Sequence, residues 1–598
     1  MKSSHFSVVW RFAPGLAVAT SLAIFRFAAS PEAIAGTAHA LVVVALVIAA
    51  AILVWIPGIA VAALVARKVP ESLLPAVTAC GSAAAGWLLF WAWFANPGAG
   101  RVATYACAAL SSIVLALRPR GTLRTPEIAA PLLLALLIAV GYVALAGDHG
   151  GLTGGADMIA HRYWVSVDNK IPQFFADGLI NHHHGLKPLI GEWQSSDRPP
   201  LQTGMLMTAY PIAPVDGRLL AALVLGVAAN MLWVFGLWSV LRCLRFRAAT
   251  ASLIVIAVAL AGPIYINSVY TWPKMLAGGL TLCALAAALD QDLGAGLRAV
   301  LGGAAVGLAL LAHGSALPAV MAIALLLVLP GRYRVRPRTL LLAGLVVVAV
   351  YSPWLGYQRF YNPPGDRLVK WHLAGDPAPT NKSSLRTILH AYKVAGLDGT
   401  MLNKLQNVRM LVGDPTTWDR STGAWNTGWT QTRIGRLRFY LLARLGPAPG
   451  LLLLGLLALA LRRIRRRPWV PPLSFFVAVS TLIYILMEFG GSGLATTWLF
   501  ASPYAVLISV CALGVAAVAE LGTRWIWGLV LVQLVAFVGL WVVHVSLQSA
   551  YAPGASGRLD VSLDVVAGAA FCAITALAAA LGREHHAPAP HIAIVGRR

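Results

Sequence analysis

Apolar stretches of about 20 residues, the length a helix needs to cross the hydrocarbon of a bilayer, recur along almost the whole chain. Clusters of Arg, Pro and Gly separate them. Inside lipid only a helix or a closed barrel satisfies its own backbone donors and acceptors, so runs of this length read as helices. The pattern predicts spans near 8–29, 38–65, 73–95, 102–117, 127–146, 218–240, 249–270, 274–289, 299–313, 316–330, 339–357, 438–461, 470–488, 494–519, 525–548 and 562–581. Two long polar segments, 147–217 and 358–437, interrupt the series. The expected fold is therefore an all-α polytopic membrane protein of about 16 transmembrane helices, with two long extracytoplasmic loops containing short interfacial helices.

Composition agrees. Of 598 residues, 59% are hydrophobic and 11% charged, against roughly 25% charged in soluble domains, which excludes an ordinary soluble protein. The cysteines Cys80, Cys107, Cys243, Cys283, Cys511 and Cys572 all fall in apolar runs, which leaves no disulfide framework and no paired-cysteine metal site. The formal charge of +24 matters through its distribution. One alternating set of connections carries 23 basic residues, including Arg67, Arg118, Arg242, Arg332 and the Arg462–Arg467 cluster, while the short connections of the other set carry only Arg101, Lys274 and Arg558. Lys and Arg near span ends resist translocation, so both termini are expected in the cytoplasm and both long segments outside. The Arg462–Arg467 cluster reads as an orientation signal, not a nucleic-acid site. Arg11 and Arg26 near the ends of the first span, with no cleavage pattern, read as an uncleaved span.

Loops as long as the two outer segments are usually functional. The first opens with Asp148, a glycine run and Asp157, then His161, Arg162, Tyr163 and Trp164; Asp168, Asn169, Lys170 and Phe174-Phe175-Ala176-Asp177-Gly178-Leu179 follow. The spacing from Asp157 to Val167 fits a short amphipathic helix along the interface, with Asp157 as its N-cap. Further on, Pro199-Pro200 in Ser195-Ser196-Asp197-Arg198-Pro199-Pro200-Leu201 forbids helix and fixes an extended turn.

An acidic residue just after an outward-going span, a Phe-x-x-Gly-Leu-like segment and Asp197-Arg198-Pro199-Pro200-Leu201 before the next span together resemble the first extracytoplasmic loop of GT-C glycosyltransferases, in the aminoarabinose transferase and protein O-mannosyltransferase branches. Arg198 stands where Lys is usual there, and Met158 follows Asp157 where a second acid can stand. The resemblance covers roughly residues 127 to 440. It implies a catalytic transmembrane module over 127–357 that includes outer loop 147–217, a second extracytoplasmic loop over 358–437, and C-terminal helices and a cytoplasmic tail over 438–598. Residues 1–126 are extra N-terminal transmembrane helices. It also implies an inverting transferase in the inner membrane, its active site extracytoplasmic, moving a sugar from a polyprenyl-phosphate donor to an envelope acceptor that is a lipid, a glycan or a protein. The partners implied are that donor, that acceptor and the bilayer, with no nucleic acid.

Such a transfer needs a base for the acceptor proton and positive charge for the departing phosphate. Asp157 and Asp197 are the candidate catalytic carboxylates, and the resemblance favours Asp157. Arg198, Lys274 and Arg359 are the candidate phosphate ligands, since Arg grips phosphate with two parallel hydrogen bonds and Lys acts as a point charge. His161, Arg162, Tyr163, Trp272 and His313 are expected in the substrate pocket. No cofactor is required by these residues; a divalent metal is left open by His182-His183-His184, although three consecutive residues cannot all face one ion and no metal ligand is assigned. Glu488, at a span end, reads as a solvated acid. The second outer loop sets Trp371, Trp418, Trp425 and Trp429 among eleven basic residues, a composition that suits sugars, anionic lipid groups or a subdomain resting on headgroups. The competing readings are a transporter or flippase of a lipid-linked or anionic substrate, which would place its charges near the bilayer midplane, and an O-antigen ligase or polymerase type of enzyme.

Overall fold

The structure is a computed structural model. It describes residues 2–30, 32–33, 38–117, 126–147, 152–162, 167–182, 188–378, 380–412, 418–419, 424–425, 455–490, 502–538 and 560–583. Among these it is helical throughout, apart from short turns and one two-residue antiparallel pair, Trp418–Asp419 with Ala424–Trp425. Ten helices are long and apolar enough to cross a membrane, or eleven if one bent pair is a single span, and four shorter apolar helices accompany them: Phe12–Phe27, Lys274–Leu289, Gly314–Val328 and Thr523–Phe537. Each span expected from the sequence overlaps one of these except 438–461, most of which lies outside the described residues, as do the first part of 494–519 and the last part of 525–548.

The expected span at 249–270 is two helices, Ala248–Ala259 and Gly262–Val269, meeting at 75°. Pro263 causes the bend. It has no N–H to give the carbonyl of Ala259, four residues earlier, and in an apolar interior that carbonyl must find another donor. The hydroxyl of Tyr142 donates to it. Close packing elsewhere depends on glycine. Gly236 and Gly279 face each other on the Leu232–Cys243 and Lys274–Leu289 helices, where a Cβ on Gly236 would lie 2.4 Å from the Gly279 carbonyl oxygen. That contact lets the two backbones approach and fixes the height of Lys274 at the end of its helix.

The N-terminal helices are part of the same bundle. The Trp55 indole donates to the Ala228 carbonyl at 2.9 Å. The Leu74–Ala95 helix meets the outer loop directly, because a Cβ on Gly204 would fall 2.2 Å from the Gly86 carbonyl oxygen. Phe90 packs edge-on against Phe175, and Phe94 against Tyr357. The residues following the Asp197–Leu201 motif thus rest on a helix that precedes the family-like module.

Charged groups segregate to the two ends. At one end Arg242 pairs with Glu127 at 2.6 Å, Arg467 with Glu520 at 2.7 Å, and Ser72 donates to Asp290. At the other lie Asp168, Arg198, Lys274, His313 and Glu488, where the polar segments fold over the helix ends.

Candidate active site

The segment 194–201 is built as its sequence demands. Ser195–Asp197 makes one 3-10 turn, closed by the Asp197 carboxylate accepting the Gln194 N–H at 2.8 Å. Arg198 is extended, and the next helix starts at Leu201, past the two prolines. The turn is pinned to the end of the Pro337–Gly356 helix: Ser195 Oγ lies 2.6 Å from the Tyr357 hydroxyl, Asn362 donates to Ser195 at 2.7 Å, and Gln358 donates to the Ser196 carbonyl at 2.9 Å. Asp197 is buried. Burial raises its carboxyl above the usual range, opposed by the Gln194 N–H and then by Arg367 and Arg198.

Arg198 is buried and sandwiched. Its guanidinium lies 4.3 Å from the Trp193 ring centre and 5.7 Å from that of Trp272, and it donates to Asp168 at 3.3 Å. Arg367 covers Trp193 at 4.2 Å, and Trp371 packs on the same indole at 5.4 Å. The two outer segments therefore meet at Trp193. Beside this stack Ile171, Phe175, Pro199, Thr203, Trp272 and Pro273, with Asp168 and Arg198, line a narrow, mostly apolar slot.

Lys274 begins its helix directly after Pro273 and is 1% exposed. Its ammonium sits 3.3 Å from the Trp272 ring centre, with no hydrogen-bond acceptor among the described residues. His313, between two helices, is equally buried. Its Nδ1 accepts from the Ser315 backbone N–H at 3.2 Å. Because Nδ1 accepts that N–H, the ring carries its proton on Nε2, and this N–H finds no acceptor among the described residues. Two buried donors without acceptors lie beside the Arg198 guanidinium, and the charges of Arg198, Asp168 and Glu488 all act on Lys274.

Glu488 corrects the reading of a solvated acid. It is 2% exposed and lies 3.2 Å from His372 Nδ1 on the Arg367–Ala374 helix. Asn407 and Lys404 of the Ser384–Val412 helix donate to its backbone carbonyl at 2.9 and 2.5 Å. The second outer segment folds over the span end and covers it.

Asp157 is not the N-cap. The helix runs Gly155–Arg162, so Asp157 lies inside its first turn, and its carboxylate pairs with Lys170 at 2.7 Å. Its side chain keeps 37% of its surface. His161 and Arg162 stand on the same helix, and Tyr163 lies outside the described residues. Arg359 is exposed on the Tyr357–Tyr361 turn and is not brought to the cluster. His182 is exposed with φ 57°, and His183 and His184 lie outside the described residues. Among the described residues no three His, Cys, Asp or Glu side chains come together as a metal site.

The sequence paired Arg198 with Lys274 and placed Trp272 and His313 near them. It missed Trp193, Arg367, Asp168, His372 and Glu488 as members of the site. Trp193 is only five residues from Arg198, but Asp168, His372 and Arg367 find partners 30, 116 and 175 residues away, beyond any local spacing rule.

These features define an all-helical, multi-pass membrane protein with a water-poor, cationic site at one end of its bundle. No family model matches the chain, and no curated protein matches it. Among solved structures, it is similar to the crystal structure of ArnT from Cupriavidus metallidurans bound to undecaprenyl phosphate. The TM-score is 0.41 and the identity 16%, with 76% of each chain covered.

Proposed function

We propose that the chain is a GT-C type glycosyltransferase that moves a sugar, with inversion, from a polyprenyl-phosphate donor to a hydroxyl of an envelope acceptor at the outer membrane surface. The observation that carries this reading is the pair of buried donors, Lys274 Nζ and His313 Nε2, that lack acceptors beside Arg198. Buried polar groups are almost always satisfied, and a phosphate oxygen supplies what these two lack.

In the reaction the acceptor oxygen attacks the anomeric carbon. The bond from that carbon to the phosphate oxygen breaks with its electron pair on the phosphate, and the acceptor proton passes to a carboxylate. Arg198 and Lys274 offset the charge gained by the phosphate, and fixed cations in a poorly hydrated site do this without reorganisation. Asp157 is the base, since it is the half-exposed carboxylate at the mouth of the first outer loop, aimed by Lys170. Asp197, buried and spent on its own turn, holds Arg198 in place.

A transporter is the second reading, because one span is broken in the manner of transporter sites. The bent segment carries no Asp, Glu, Lys or Arg, and its freed carbonyl is taken by Tyr142, which leaves the break without an ion-binding group.

The test is Asp157→Asn in proteoliposomes supplied with a polyprenyl-phosphate sugar. Loss of the base lowers the rate by about 10² to 10⁴ while product binding persists. Transfer at the wild-type rate would remove Asp157 from the chemistry.

A further inference from the structure

The Lys274–Leu289 helix ends, about 24 Å from Lys274 at 1.5 Å per residue, beside a second polar cavity of about 150 Å³. Its walls come from the turn after the Leu232–Cys243 helix, from Asp290–Asp292, from Arg332–Tyr333, and from Ser72 and Pro468. Two of the lining charges build the wall. Asp290 accepts the N–H groups of Asp292 and Leu293 at 2.9 and 2.8 Å and the Ser72 hydroxyl at 3.0 Å. Arg242 is held by Glu127 and by the Phe246 carbonyl. Arg245, Arg332 and Asp292 remain. All three are exposed, and no ion pair among the described residues engages them.

Arg245 occupies a place that usually belongs to glycine. The Phe246 N–H bonds back to the Leu241 carbonyl and the Arg245 N–H to that of Arg242, the pattern of a Schellman helix end, and Arg245 has φ 65°. Glycine is favoured there because a Cβ is disfavoured at positive φ. A strained non-glycine residue at a cavity rim points to work done by its side chain. The two helices that the Arg332 turn joins carry apolar surface near that turn in sequence: Val328, Leu329 and Leu341 are 51%, 45% and 66% exposed.

We infer that this cavity binds the headgroup of a zwitterionic phospholipid, an ammonium-bearing phosphodiester, with Arg245 and Arg332 on the phosphate, Asp292 on the ammonium, and the acyl chains against Leu329 and Leu341. Two cations with one carboxylate match that headgroup better than a bare anion, which Asp292 would repel. Exposed apolar residues on the helices joined by the Arg332 turn favour a lipid over a soluble phosphodiester of the same chemistry. The site is at the end of the bundle opposite the proposed active site and does not depend on the transferase reading.

The experiment uses the full-length protein in phosphatidylglycerol nanodiscs doped with phosphatidylethanolamine, with bound lipid counted by native mass spectrometry. Phosphatidylethanolamine is expected to be retained selectively. Arg245→Gly combined with Arg332→Gln should lower its retention about tenfold, as for loss of hydrogen bonds to a charged group. Arg245→Gly alone should leave the melting temperature unchanged or higher, because glycine fits the turn, so weaker binding cannot be blamed on misfolding. Phosphatidylglycerol retained as well as phosphatidylethanolamine, or retention unaffected by the double substitution, would overturn the assignment. Glycerophosphoethanolamine competing as well as the lipid would make this a soluble-ligand site and overturn the lipid.

Discussion

Lys274 holds its ammonium 3.3 Å from the centre of the Trp272 ring, two residues earlier in the chain, and is almost entirely buried. An indole face attracts a cation but accepts no strong hydrogen bond from it, so the charge is placed without being satisfied. An interfacial anchor would instead reach water with its ammonium. At the N-terminus of a helix the macrodipole adds further positive potential at the same point.

The first prediction concerns product affinity. Arg198→Ala or Lys274→Ala should weaken binding of polyprenyl phosphate by about tenfold to a hundredfold, the range for lost hydrogen bonds to a charged partner. Arg198→Lys should be milder, as it keeps the charge and loses only the two-pronged geometry. Binding measured by microscale thermophoresis with undecaprenyl phosphate decides; equal affinities in wild type and both alanine variants would clear the two residues from the site.

His313 gives a second prediction, because Ser315 fixes which nitrogen carries the proton. His313→Gln presents an amide N–H near the position of Nε2, whereas His313→Ala presents nothing. Product binding should fall by about fivefold to tenfold in the alanine variant and less in the glutamine variant. Were the ring only filling space, the two would lose affinity alike.

The third prediction is a pH dependence. Burial pushes the Lys404 ammonium down to about 8, with Glu488 pulling it back up. An unfolded lysine titrates near 10.4, so between these values the unfolded chain holds a proton that the folded chain has released. Stability should therefore rise with pH across this window and be flat in this contribution below it. Thermal melts from pH 7 to 10 on wild type and Lys404→Met test this; parallel curves would show that Lys404 keeps its proton throughout.

Orientation is the fourth. In a background without reactive cysteines, Ile180→Cys and His390→Cys should react with an impermeant maleimide in intact cells, and Arg334→Cys only after permeabilisation. Labelling of position 180 solely in permeabilised cells would reverse the topology and move the proposed chemistry to the cytoplasm.

Much of this was legible in sequence, because lipid imposes a local rule: each crossing must be a long apolar helix, and positive charge marks one side. Spans such as 38–65 and 274–289 were placed within one residue of the helices His39–Val65 and Lys274–Leu289. Pro199-Pro200 and Pro273 set the starts of the helices that follow, since proline acts on its own backbone. The bend at Pro263 was missed because the apolar run continues through it, and only the distant Tyr142 hydroxyl makes the break affordable. Asp157 reads as a cap in isolation and becomes an ion pair only when Lys170 folds back beside it. Glu488 reads as solvated until the Arg367–Ala374 and Ser384–Val412 helices close over it. Burial and pairing of charged side chains depend on segments that sequence separation does not relate, and tertiary structure alone decided which of the charges in the two long polar segments lie in water and which form a site.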